Sequence, residues 1–370
     1  MPIALLIFGM LLVIAALIFN GFKYEQPWWL TIKEYVNAFI PIALILALKI
    51  LFHFVLKNTS FPKPISITIY SILALTLFLP FLKVSLVPLR KFIPKLLAVF
   101  ILSICVLNLL VTSYHFKNEI LFAINDSSII NAFLFLGFAL YLGNKWWQTA
   151  KMNLYFSGAF KSQWLFLLIL LVFIIGSSVF SALINLTSQF KDAIWNWTAT
   201  FSILNKFPGL NLILAAIEAG ILEETLRWLN LRIVLSKFRH HRGRIELAVL
   251  ISALIFAVSH SVNYFSGQTA ALTAVQIFIT LGFCLFLAAV YLYTGQFWLI
   301  VLIHACQDWL VFRIKVNPLA DMSASGWWLS IDPHQFLPSL LVVLVYGAFT
   351  IVLLTGKRRS VIKAHLEKMS

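Results

Sequence analysis

Charge is what this 370-residue chain has least of: 11% of its residues are Asp, Glu, Lys or Arg, only 13 are acidic, and 61% are apolar. A water-facing surface needs far more polar side chains. The apolar runs of 18 or more residues that recur along the chain exclude a soluble globule. Cysteine is nearly absent. Cys105, Cys284 and Cys306 lie in apolar stretches without CxxC or metal-site His spacing, which argues against disulfides and thiolate metal centres and leaves them as small buried hydrophobes. Repeats of fixed period, Gly/Ser-rich linkers and low-complexity tracts are missing too. The formal charge of +15 could suggest nucleic acid, but the basic residues fall in short loops between apolar runs, where topology and anionic lipid headgroups account for them.

What is present is hydrophobicity without alternation. Runs this continuous lack the in/out pattern of a barrel strand, so the expected fold is all-α, a polytopic transmembrane helical bundle. Hydropathy predicts about eleven spans, near 2–20, 36–56, 65–87, 96–115, 129–143, 164–187, 209–236, 246–262, 271–294, 296–314 and 337–356. The first resembles a signal sequence, yet no Lys or Arg precedes Lys23, so it is expected to be a retained span. Trp28–Trp29, Trp146–Trp147, Trp195 with Trp197, and Trp327–Trp328 lie at span ends, where indoles favour the headgroup level. The loops at 21–34, 90–95, 144–163 and 237–244 and the segment after 356 hold 17 of the 28 Lys and Arg. The positive-inside rule then predicts an outside N-terminus, a cytoplasmic C-terminus and an odd number of spans. Lys49 is expected to snorkel from a helix end.

An ionised side chain at bilayer centre costs at least about 2.5–3.5 kcal/mol, so each needs a partner or a wet site. Glu223, Glu224, Arg227, His260, His304 and Asp308 all fall within predicted spans. Glu223 and Arg227 are four apart and share a helix face, so the arginine can neutralise one carboxylate and leave the other available. His260 shares a face with Phe256, and His304 with Asp308. Counted from the inferred cytoplasmic ends, Glu223, His260 and His304 lie about 21, 24 and 14 Å deep, close enough to meet in one pocket. A carboxylate and two imidazoles converging there can hold and deprotonate a water molecule. Taken singly, each group has a structural explanation: a buried ion pair, an interhelical hydrogen bond, two neighbours one turn apart. The string KFRHHRGR at 237–244 is expected to be a lipid-facing loop.

EETLR, FAVSH and HACQD, at 223–227, 256–260 and 304–308, resemble in order the three motifs of the CAAX-protease and bacteriocin-processing family of intramembrane peptidases (CPBP, or Abi), EExxxR, FxxxH and HxxxN/D. The resemblance covers roughly residues 164–356. It implies an eight-helix-like core at 161–370, an N-terminal transmembrane region at 1–160 of unmatched role, and a bacterial inner membrane as the setting. It implies that Glu223, with His260, activates water, and that His304 and Asp308 stabilise the oxyanion. Phe256 would serve in motif packing. Asp308 stands where many relatives have Asn, and a carboxyl donates to an oxyanion only when protonated. Arg227 stands one residue closer to the glutamates than in the family, with Trp228 in its place, which leaves open whether Glu223 or Glu224 is the base.

The expected activity is endoproteolysis of a hydrophobic, lipidated or membrane-tethered peptide by a metal-independent, glutamate-type site. The metal alternative is a zinc-like ion held by Glu223, His260, His304 and Asp308; HExxH is absent. Two other functions compete: a catalytically degenerate scaffold or bacteriocin self-immunity protein, and a proton-coupled transporter. The transporter predicts broken half-helices in both halves, whereas the intramembrane titratable groups lie almost entirely after residue 160. Expected partners are the peptide substrate, anionic lipid at the basic loops, and a membrane protein at the first five spans.

Overall fold

The computed structural model describes residues 26–58, 63–110, 116–147, 209–265, 267–313 and 333–369, with a few isolated positions elsewhere. The described residues are helical throughout their regular structure, and the chain divides into two compact units, Met1–Gln148 and Thr149–Ser370. The predicted spans at 2–20 and 164–187, and Trp195, Trp197, Trp327 and Trp328, lie outside the described residues.

In the first unit the helices are α1 (Pro27–Asn58), α2 (Lys63–Ser85), α3 (Phe92–Leu107), α4 (Glu119–Asp126) and α5 (Ile129–Trp147). α1 packs on α2 and α3, and α3 on α5. α3 stops at Leu107 instead of running to 115, because Asn108 caps it and bonds Lys49, whose Nζ donates to its Oδ1 at 2.9 Å. Lys49 lies at the end of the apolar stretch Trp28–Ile50, although α1 continues to Asn58, and it is held by the end of a neighbouring helix. Trp28 and Trp29 stack at the start of α1, and Trp146 at the end of α5 carries the Lys95 ammonium 5.0 Å from its ring centroid.

The second unit contains α6 (Leu210–Lys237), α7 (Arg244–Ser259), α8 (Val262–Phe265), α9 (Ala270–Thr294), α10 (Phe297–Arg313), α11 (Pro333–Leu354) and α12 (Gly356–Met369). α6 is the hub: it packs most extensively on α10 and also on α7, while α9 packs on α7 and α11. Its faces are buried all round from Glu224 to Leu231, as expected of a central helix in a bundle. Among the described residues, five helices are long and apolar enough to cross a membrane: Trp28–Ile50, Ile65–Ser85, Ile129–Trp147, Arg244–Phe265 and Ala270–Thr294, with α11 and α12 a sixth if that bent pair is one span. α6 has the length but not the composition, because it carries Glu218, Glu223, Glu224, Arg227 and Arg232. α3 and most of α10 are apolar but shorter. The protein is an integral membrane helical bundle.

Candidate active site

Close helix approach comes first. A Cβ at Gly220 of α6 would lie 2.8 Å from the carbonyl oxygen of Val301 and 3.3 Å from the Ala305 backbone nitrogen on α10. Only glycine lets the two backbones meet there. That contact puts the next turn of α6, with its two glutamates, against His304.

His304 is 4% exposed and lies among three carboxylates. Its Nδ1 is 2.5 Å from Glu224 Oε1, its Nε2 is 3.2 Å from Glu223 Oε2, and the same Nε2 is 3.5 Å from Asp308 Oδ2. Phe283 of α9 meets the imidazole edge-on, 5.3 Å between ring centres. With acceptors facing both ring nitrogens, the group holds a proton on each nitrogen or on one of the facing carboxyls. The ring is thus fixed in orientation at two points.

The two glutamates occupy different surroundings. Glu224 is fully buried and is also bonded by Arg227, three residues on, while the Glu223 side chain keeps 25% exposure. The sequence pairs Arg227 with the face of Glu223; in the structure it pairs with Glu224. The guanidinium is drawn to that side because its Nη2 donates to Cys284 Sγ of α9 at 3.0 Å and its plane lies 4.7 Å from the ring centroid of Phe256 on α7. A cation over an aromatic face gains from the ring quadrupole, the more so when desolvated. Phe256 thus carries the arginine on its ring face.

His260 caps α7 and is half-buried, its Nδ1 3.3 Å from the Phe256 carbonyl oxygen and its ring 5.1 Å from the Phe256 ring. It acts electrostatically on Glu223 without a direct bond to it. Asp308 keeps 20% side-chain exposure, so the open side of the cluster is formed by Glu223 and Asp308. Glu223, Glu224, Arg227, His304 and Asp308 are brought into one connected group, with His260 beside it.

Three participants were not singled out from sequence. Cys284, taken as a small hydrophobe, is a hydrogen-bond acceptor for Arg227, and nothing in its sequence context announces this. Glu218 lies within electrostatic reach of Glu223 and Asp308. The cost of a charge in a span applies to it as to its neighbours and would have found it. Gln307, inside HACQD, accepts a hydrogen bond from the Tyr346 hydroxyl of α11 at 3.2 Å, which fixes the α10 turn next to Asp308.

Among the described residues no group of three or more His, Cys, Asp or Glu is arranged to hold an ion. The Nδ1 of His304 is already bonded to Glu224.

A bundle whose helices pool carboxylates and imidazoles around a fixed ring has the makings of a hydrolytic site in a membrane. Residues 205–310, which contain all three motifs, match the family model of type II CAAX prenyl endopeptidases, Rce1-like. This segment is thus similar to the CAAX-protease group of intramembrane peptidases. The first unit lies outside the match, and no curated protein and no solved structure matches the chain.

Proposed function

We propose that the second unit is a glutamate-type intramembrane endopeptidase that cleaves a lipidated or otherwise membrane-tethered hydrophobic peptide. The observation that carries the reading is the unequal pair of glutamates: one is buried and neutralised, while the other is open and beside a fixed imidazole. Glu223 takes a proton from a water molecule held against it, with His260 adding to the local field. The hydroxide oxygen adds to the scissile carbonyl carbon, and the carbonyl oxygen becomes an oxyanion. His304, donating from Nε2, and Asp308 in its protonated form stabilise that oxygen. The proton on Glu223 then passes to the leaving nitrogen as the C–N bond breaks, restoring the carboxylate. Glu224 and Arg227 touch no reacting atom; they hold the imidazole in orientation. No metal is needed for these steps.

We place the protein in a bacterial inner membrane with its C-terminus in the cytoplasm, on the strength of the basic loops. The test is direct. The purified protein in liposomes is given a fluorogenic farnesylated peptide and its unlipidated counterpart, and products are identified by mass spectrometry. Cleavage of the farnesylated peptide that disappears with Glu223→Gln supports the reading; cleavage retained in that variant rejects it.

A further inference from the structure

The second unit ends on a surface built from chain segments far apart in sequence. α11 stops at Leu354, Gly356 adopts φ +59°, and α12 departs at 70° to α11. A left-handed residue is the usual way to end one helix and redirect the chain. Because a single residue separates the two helices, α12 turns across the end of α11 and stays beside the bundle. Its apolar side faces protein: Ile362 is 0% and Leu366 7% exposed, and α12 packs on α9 and α11. His365 Nδ1 lies 3.3 Å from the Leu292 carbonyl oxygen, and Arg359 pairs with Glu246 in the first turn of α7. Arg359 Nη2 also reaches the Arg242 carbonyl oxygen at 3.4 Å, so α12 is fastened to the α6–α7 turn.

The outward side of this assembly is cationic. Lys357, Arg358 and Lys363 of α12 are exposed, and so are Lys237, Arg239 and Arg242 of the α6–α7 turn, with His240 and His241 among them. Glu246 is taken by Arg359, and Glu367 is the remaining carboxylate of α12. We propose that α12 and the α6–α7 turn form one platform for the headgroups of anionic phospholipids. Its occupant is identified by charge: six exposed cations gather on α12 and the turn, where among the described residues the carboxylates are Glu246, taken by Arg359, and Glu367. The platform stands independently of peptide hydrolysis. It has a structural consequence, since lipid bound there tightens α12 onto the turn that ends α6, the helix bearing both glutamates.

The full-length protein is placed in nanodiscs of phosphatidylcholine, with or without phosphatidylglycerol, and its melting point and lipid retention in native mass spectrometry are recorded. Phosphatidylglycerol is expected to raise the melting point and to be retained selectively. A triple variant, Lys357→Gln, Arg358→Gln and Lys363→Gln, loses the rise, and its retention falls at least tenfold, since each cation near an anionic surface contributes about fivefold. A control with Lys83 and Lys117, exposed and outside the basic loops, changed to Gln keeps both effects. Lys363→Gln alone loses part of the rise and serves if the triple variant does not fold. Two results overturn the proposal: the triple variant, or Lys363→Gln in its stead, responds as wild type does, or the control loses the response equally. A rise produced as well by soluble inorganic phosphate would reduce the platform to an anion site without lipid preference and overturn it too.

Discussion

Changing Glu224 to Gln separates the two glutamates by their physical roles. Glu224 is 0% and Arg227 1% exposed, and the carboxylate also receives His304 Nδ1. Removing one partner of a buried ion pair leaves the other charge uncompensated, which costs about 3–5 kcal/mol. At about 2–4 °C per kcal/mol for a unit of this size, the melting point falls by about 6–20 °C. Glu223→Gln is a milder perturbation of the fold. The Glu223 side chain is 25% exposed and meets His304 at a single nitrogen, so the melting point changes by about 1 kcal/mol equivalent or less. Its effect falls on hydrolysis, down about 10²–10⁴-fold for loss of a general base. The assay pairs a thermal melt in detergent with cleavage of the farnesylated peptide at a temperature where both variants are folded. A Glu224→Gln protein that melts like wild type would refute the buried charged pair. If that variant were folded and dead while Glu223→Gln cleaved normally, the two roles would have to be exchanged.

The helix contact at Gly220 makes a second prediction. Gly220→Ala pushes against the Val301 carbonyl, costs about 1–3 kcal/mol by overpacking, and lowers cleavage by about 10²-fold if the glutamates move 1 Å from His304; unchanged melting and rate would contradict so close a contact. Phe256→Leu removes the ring beneath Arg227 and is expected to lower stability by about 2 kcal/mol while leaving Glu223 in place, so the melt should suffer more than cleavage measured below it. Chelation with phenanthroline or EDTA is expected to leave cleavage unchanged, and loss of activity restored by zinc would overturn the metal-independent route.

The helices of the second unit were legible because apolar runs and polar outliers are both statements about transfer from water. The span read at 209–236 is α6 at Leu210–Lys237, and that at 271–294 is α9 at Ala270–Thr294. An error fell where a polar side chain ends a helix inside an apolar run: Asn108 stops α3. Hydropathy averaged over a window passes over a single capping residue. The convergence of Glu223, His304 and Asp308 follows from three motifs that each place polar groups on one helix face. Their unequal burial does not follow, since it depends on Gly220 admitting α10 and on Cys284 receiving Arg227 from α9. Contacts between distant segments of chain leave no local pattern.

The arginine that stands one residue early no longer favours a degenerate site. In EExxxR the arginine follows the second glutamate by four residues, whereas Arg227 follows Glu224 by three. Residues three and four apart are both neighbours on a helix surface, so either spacing delivers a guanidinium to the same carboxylate. What the shift alters is the direction from which the cation arrives, and here Phe256 and Cys284 receive it on that side. Trp228, in the place of the family arginine, is 2% exposed and packs as core. Neutralisation of the inner glutamate is thus preserved with its pairing moved by one residue, and Glu223 is left open beside His304.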